Sequence, residues 1–126
     1  MAVDPTILVV DDDPVIVKLL RVNFEMEGYR VVTAANGEEG LDAARANRPD
    51  AIVSDVMMPR MDGIAFAKEL KADPDLRSIP LVLLSAKAQS SDVQTGLDVA
   101  DDYVTKPFDP LELLERVAVL LGSARR

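Results

Sequence analysis

Five short apolar runs punctuate the chain, and most of them empty straight into polar residues. Thr6-Ile-Leu-Val-Val10 runs into Asp11-Asp-Asp13, Ala51-Ile-Val-Ser54 into Asp55, Leu81-Val-Leu-Leu84 into Ser85, and Tyr103-Val-Thr105 into Lys106-Pro107, while Val31-Val-Thr33 leads to Asn36-Gly-Glu-Glu39. The runs are apolar throughout instead of alternating, which is the pattern of strands covered on both faces. Between them lie stretches with helical spacing. Asp13-Pro14 reads as a cap with proline in the first turn, followed by Ile16, Leu19, Leu20 and Phe24, and Gly28 ends the helix. Asn36 and Glu39 have capping-box spacing before Leu41 and Ala44, and Arg48-Pro49 stops that helix. A third helix carries Ile64, Ala67 and Leu70 after Asp62-Gly63 and closes at Asp73-Pro74, and Pro80 opens the next strand.

The fourth helix has the weakest pattern. Ser90-Ser91 are its expected caps, with Val93 and Leu97 as its apolar stripe, and it is expected to be the softest element. Asp109-Pro-Leu-Glu112 repeats the cap-and-proline start, and Leu114, Val117 and Leu121 carry the last helix towards Arg125-Arg126. Strand and helix thus alternate five times, which predicts an α/β fold, (βα)5 and doubly wound like flavodoxin. Right-handed crossovers with one reversal of winding put its parallel five-stranded sheet in the order 2-1-3-4-5. No repeat, low-complexity tract or linker interrupts residues 1–126, so one domain is expected.

That topology changes how the acids are read. In open α/β sheets ligands bind at the carboxyl ends of the strands, at the point where the winding reverses. Here that point lies between the strands that deliver Asp11, Asp12 and Asp55, and the fourth and fifth strands bring Ser85 and Lys106 to the same edge. Carboxylates gathered so closely raise one another's pKa unless a cation sits among them. Asp13 is read as a helix cap only.

Composition narrows the cation. The chain has neither histidine nor cysteine. That removes imidazole and thiolate metal sites and the Ser-His-Asp triad, and leaves oxygen ligands suited to magnesium, manganese or calcium. A net charge of −8 argues against a direct grip on nucleic-acid phosphates. No run is long enough to span a membrane and Met-Ala-Val-Asp-Pro5 does not resemble a signal peptide, so a cytoplasmic location with no membrane partner is expected. With magnesium present, Asp12 and Asp55 are the best direct ligands, and Asp11 acts through water. A carboxylate beside a metal and a lysine can serve as nucleophile towards phosphorus, with Lys106 neutralising the incoming group and the Ser85 hydroxyl bonding one of its oxygens. Positioning and charge neutralisation are most of what phosphoryl transfer requires.

The motifs Ile7-Leu-Val-Val-Asp-Asp12, Ser54-Asp-Val-Met-Met-Pro59 with Met61-Asp-Gly63, Leu84-Ser-Ala-Lys87 and Asp102-Tyr-Val-Thr-Lys-Pro-Phe108 stand in the order and spacing of one family. Over essentially its whole length the chain resembles the receiver domains of two-component response regulators. The resemblance implies that Asp55 is the phosphoacceptor, Asp11 and Asp12 the acid pair, Met57 the donor of a backbone carbonyl to Mg2+ (with Mn2+ as a substitute), Ser85 the switch hydroxyl and Lys106 the phosphate-binding lysine. Tyr103 becomes the aromatic switch, turning inward when Ser85 is drawn to the phosphoryl group, and Lys106-Pro107 is expected to be a cis bond. The implied phosphodonor is a histidine kinase or a histidine phosphotransfer protein. The implied output is a change in the face formed by the fourth helix, fifth strand and fifth helix, read by a downstream protein or by an output domain elsewhere in a longer chain. Two departures stand out. Val99-Ala-Asp-Asp-Tyr103 lacks the glycine often found before the fifth strand and is one residue shorter from Gly96, which bears on the fourth helix. Met57 replaces a frequently polar side chain, which makes that position a candidate determinant of phosphorylation lifetime.

Other readings stay open at this stage. Asp11-Asp-Asp13-Pro14 also resembles the acid-x-acid motif of haloacid-dehalogenase-type phosphatases, although that reading leaves Asp55 idle and the chain has no room for a substrate-selecting cap. A pseudo-receiver that binds partners without phosphorylation is a third reading, against which the intact acid set speaks. A flavodoxin-like electron carrier would need a hydroxyl-rich phosphate loop where this chain has acids.

Overall fold

Each predicted apolar run is a strand in the computed structural model, which describes residues 4–87 and 89–124. The strands β1 (Thr6–Val10), β2 (Arg30–Ala34), β3 (Ala51–Asp55), β4 (Leu81–Ser85) and β5 (Asp102–Thr105) form one parallel sheet in the order 2-1-3-4-5. Ile7 lies opposite both Val31 and Ala51, Val53 opposite Val82, and Leu83 opposite Tyr103. The helices α1 (Pro14–Met26), α2 (Gly37–Asn47), α3 (Gly63–Ala72), α4 (Ser90–Leu97) and α5 (Pro110–Ala124) connect and cover them. Among the described residues, no helix is long and apolar enough to cross a membrane.

Because side chains alternate along a strand, each apolar run feeds two cores. Leu8, Val10, Ile52, Leu81 and Leu83 pack with Leu41, Phe66 and Leu70 on the α2 and α3 side. Ile7, Val9, Val53, Val82 and Leu84 pack with Leu20 and Phe24 of α1 and with Leu113, Val117 and Leu121 of α5. The three central strands β1, β3 and β4 are buried on both faces, which accounts for the missing polar alternation in their runs, whereas the edge strand β2 leaves Arg30 and Thr33 exposed. Phe24 and Phe66 are wholly buried, one in each layer, and such a side chain contributes roughly 1.5–3 kcal/mol by leaving water.

Helix starts follow the predicted chemistry in three places. Asp13 Oδ1 accepts from Val15 N–H at 2.9 Å, Asn36 Oδ1 from Glu39 N–H at 3.0 Å, and Asp109 Oδ1 from Leu111 N–H at 2.9 Å. Glu39 completes a variant of the capping box, since its Oε2 accepts from Ala35 N–H, one residue before the cap. The α4 expectation needs correction. Ser90 and Ser91 are already inside the helix, Gln89 holds the N-cap position without a side-chain bond, and the Ser91 carbonyl accepts from the Thr95 hydroxyl. Leu97 is 43% exposed and Leu19 of α1 is 39% exposed, so neither belongs to a buried stripe. The basic tail Arg125-Arg126 lies outside the described residues.

The segment before β5 closes as a tight turn. Val99 N–H donates to Gly96 O at 3.1 Å, Asp101 N–H donates to Leu81 O at 2.9 Å, and Leu81 N–H donates back to Asp101 Oδ2 at 2.8 Å. This turn lays Gly96 on the ring of Tyr103, where a methyl at position 96 would stand 2.5 Å from Cε2 and collide with Cδ2. A glycine inside a helix costs about 1 kcal/mol relative to alanine, so the ring explains a residue that propensity disfavours. Gly96→Ala is therefore expected to lower thermal stability, overpacking costing roughly 1–3 kcal/mol. In a Tyr103→Ala background the same change becomes neutral or stabilising. Thermal unfolding of the four proteins checks this, and a stabilising Gly96→Ala in the native background would show that the ring is not seated there.

Candidate functional site

The site is assembled by strand ends. Asp11 follows β1 directly: its N–H donates to Ala34 O at 3.0 Å and its Oδ1 accepts from Asp13 N–H at 2.9 Å, which locks the turn that carries the acids. Asp55 is the last residue of β3, and the next peptide is held by Val56 N–H donating to Leu84 O at 2.9 Å. Lys106 follows β5, with its N–H on Ser85 O at 2.8 Å. These backbone bonds bring Asp11, Asp12 and Asp55 together, each offering a carboxylate oxygen within 4.8 Å of the others. Asp11 and Asp55 are buried and Asp12 is exposed. Lys106 Nζ lies 3.2 Å from Asp55 Oδ1 and 3.5 Å from Asp11 Oδ2.

One lysine does not satisfy this cluster. Asp11 Oδ2 is buried and accepts no hydrogen bond. Burial pushes the Asp11 carboxyl above its ordinary range, assisted by the charge of Asp55, and outweighs the bond from the Asp13 peptide and the attraction of Lys106. Burial likewise raises Asp55 against the pull of Lys106 and a bond from the Met57 peptide. For Lys106 the balance reverses: burial lowers its pKa, but Asp11 and Asp55 together overcome burial and raise it. Two buried acids with one ammonium leave negative charge uncompensated, and an oxygen-seeking cation fits that deficit.

The remaining predicted residues take definite places. Ser85 is buried and its Oγ accepts from Lys87 N–H at 3.1 Å. The Tyr103 hydroxyl donates to Lys87 O at 2.8 Å. A ring expected to turn inward on activation is thus already inward, and both side chains expected to form the switch are bonded to Lys87. Met57 has an exposed side chain, and its peptide contacts the Asp55 carboxylate through N–H. Lys106-Pro107 is cis. Sequence reasoning missed Lys87, whose backbone alone is involved. It also missed Arg116, which bonds both oxygens of Asp102 at 2.8 and 2.9 Å and Glu112 at 3.0 Å, joining β5 to α5. Glu112 and Arg116 are spaced i,i+4, but nothing in the sequence marks Asp102 as a partner.

Residues 7–118 match the family model for the response regulator receiver domain. The chain belongs to that family. It is 47% identical over 116 residues to the alkaline phosphatase synthesis transcriptional regulatory protein PhoP of Bacillus subtilis, covering 91% of this chain and 48% of PhoP. The chain thus spans about half the length of the curated relatives it matches. The crystal structure of the signal receiver domain of a signal transduction histidine kinase from Syntrophus aciditrophicus superposes with a TM-score of 0.90 at 40% identity, covering 97% of this chain and 93% of that one. The receiver domain of the sensor histidine kinase PA1611 from Pseudomonas aeruginosa, solved with a magnesium ion in its active-site cleft, gives 0.87 at 31% identity, covering 95% and 99%. As a receiver domain this chain is a phosphoacceptor of two-component signalling, and the phosphatase reading from Asp11 to Pro14 falls away: Asp55, which it left idle, is paired with Lys106 at the centre of the cluster.

The receiver site makes stability depend on pH in a direction that can be worked out. Because the folded pKa values of Asp11 and Asp55 lie above the ordinary 3.8, the folded state holds more protons than the unfolded chain in that window. Stability without metal therefore falls as pH rises through it. The Lys106 contribution stays constant there, since it is lost only above 10.5. Asp55→Asn removes one of the two penalties. In the presence of a chelator its melting temperature is expected to gain on the wild type as pH rises from 3.8 to neutrality, and an advantage that does not change with pH would contradict the assignment.

Proposed function

We propose that Asp55 is the phosphoacceptor, using Mg2+ held by Asp11, Asp12, Asp55 and the Met57 carbonyl, with Lys106 and Ser85 receiving the phosphoryl oxygens. The observation that carries this reading is the buried Asp55 carboxylate, 3.2 Å from Lys106 Nζ and clustered with two further acids. Asp11 Oδ2, buried without a hydrogen bond and held only by its 3.5 Å ion pair with Lys106, supports a metal, as does the magnesium in the Pseudomonas receiver. Bound magnesium supplies positive charge to the phosphoryl oxygens and to the attacking carboxylate. Mn2+ meets the same oxygen-donor requirement.

A carboxylate oxygen of Asp55 forms the P–O bond as the P–N bond of a phosphohistidine on the donor breaks, and the electron pair leaves with the imidazole nitrogen. The donor is a histidine kinase or a histidine phosphotransfer protein. Lys106 exchanges part of its pairing with Asp55 for the new anionic oxygens, and the buried Ser85 hydroxyl turns from Lys87 N–H to donate to one of them. Because Lys87 O also holds the Tyr103 hydroxyl, this turn is passed to α4, β5 and α5, the face offered to a downstream protein or to an output domain. Water attack on the same phosphorus breaks the Asp55–O–P bond, releases inorganic phosphate and returns the Asp55 carboxylate, so the chain resets itself without being an enzyme acting on other molecules. Its charge of −8 leaves nucleic-acid contact to any other module.

Intact mass after incubation with a small acyl phosphate and magnesium tests the reading. One phosphoryl adduct is expected, absent in Asp55→Ala and absent with a chelator. An adduct that persists in Asp55→Ala would move the phosphoacceptor elsewhere, and no adduct in the wild type would favour a pseudo-receiver.

A further inference from the structure

We propose that Gly37, the first residue of α2, is a positioning residue that sets where the Asp55 loop lies, and with it the Met57 peptide beside Asp55. The inference rests on the metal reading above and extends it to a residue outside the acid cluster.

The loop from 56 to 62 is held firmly at its ends. Val56 N–H donates to Leu84 O and Gly63 N–H to Val56 O, each at 2.9 Å. Its far turn contains Arg60 at φ 69°, and Met61 N–H donates to Pro59 O at 2.8 Å. A backbone bond from α2 ties this turn to the rest of the molecule, Gly37 N–H donating to Met61 O at 3.2 Å, alongside the packing of the Met58 and Met61 side chains on the core. A methyl on residue 37 would stand 2.7 Å from Met61 O, 2.7 Å from its Cγ and 2.8 Å from its Cβ. A side-chain end can swing aside, but the carbonyl cannot move without the loop. Gly37 has no positive φ to account for its being glycine. The close approach accounts for it. The neighbouring Arg60–Glu38 pair, at 3.4 Å and exposed on both sides, is too weakly coupled to do the same job.

The other side of the corner is equally fixed. Ala34 O accepts the Asp11 N–H, Ala35 N–H donates to Glu39, and buried Asn36 caps α2. Residues 34–37 therefore touch the turn carrying Asp11 and Asp12 at one end and the loop carrying Met57 at the other. This corner sets the spacing between the two halves of the cation site.

The test is calorimetric titration of the whole chain with magnesium chloride, comparing wild type, Gly37→Ala and Gly40→Ala. Gly40 is the control: on the same helix, the nearest atoms to a methyl there are in the Phe66 ring at 3.0 Å and Val10 at 3.2 Å, with none of them in the loop. Gly37→Ala is expected to weaken magnesium binding roughly tenfold or more, the range for residues that orient metal ligands, and to slow adduct formation. Gly40→Ala should lose thermal stability and keep the wild-type affinity. If Gly37→Ala does not fold, Met61→Gly, which removes two of the three crowded atoms, supplies a background in which the same comparison is made. Equal affinity in Gly37→Ala and wild type overturns the inference and leaves the metal reading intact, whereas a wild type that takes up no magnesium overturns both.

Discussion

The ammonium of Lys106, set between the buried carboxylates of Asp11 and Asp55, is the interaction on which the rest of this structure depends. It joins the ends of three strands that are far apart in sequence, and it holds together charges that would otherwise drive them apart. The parallel order 2-1-3-4-5 is what makes the meeting possible, because only a sheet whose strands all point one way delivers their last residues to one edge. Two aliphatic layers, one on each face, hold that edge rigid enough for charges to stay buried. The compensation is nevertheless incomplete. Two raised carboxyl groups and one oxygen without a hydrogen bond mark a site built for more positive charge than its protein provides.

That deficit links stability to function. A site that neutralised itself would have little reason to accept a cation and a phosphoryl group, whereas one left short of charge gains from both. Ser85 and Tyr103, the side chains proposed as the switch, meet at Lys87. Lys87 uses its N–H on Ser85 and its carbonyl on Tyr103, so the two groups expected to respond to phosphorylation share one peptide neighbourhood. The Tyr103 ring is buried and seated on Gly96.

Much of this was legible in the residues. Uninterrupted apolar runs marked the central strands because both of their faces are covered, and Asp13, Asn36 and Asp109 announced helix starts because short side-chain acceptors satisfy the first free N–H groups. Acids, hydroxyl and lysine at run ends followed from topology alone. What stayed hidden depends on distances between segments. Ser90 and Ser91 have the chemistry of caps, yet the helix begins one residue earlier than that chemistry suggests. Leu19 and Leu97 have the right spacing but fall at the edge of their buried faces. Gly37, Gly96 and Lys87 act through backbone or through the lack of a side chain, and local composition carries no trace of what approaches them.

The central claim is that buried, mutually repelling carboxyl groups await a divalent cation. The proton count on magnesium binding tests it most directly, obtained by calorimetry in mildly acidic buffers of different ionisation enthalpy. Raised carboxyl groups must lose protons to become ligands, so the account predicts proton release that shrinks as the pH approaches neutrality. Magnesium binding with no proton release at any of these pH values would contradict it, since the acids would then already be ionised and their charge satisfied without the metal.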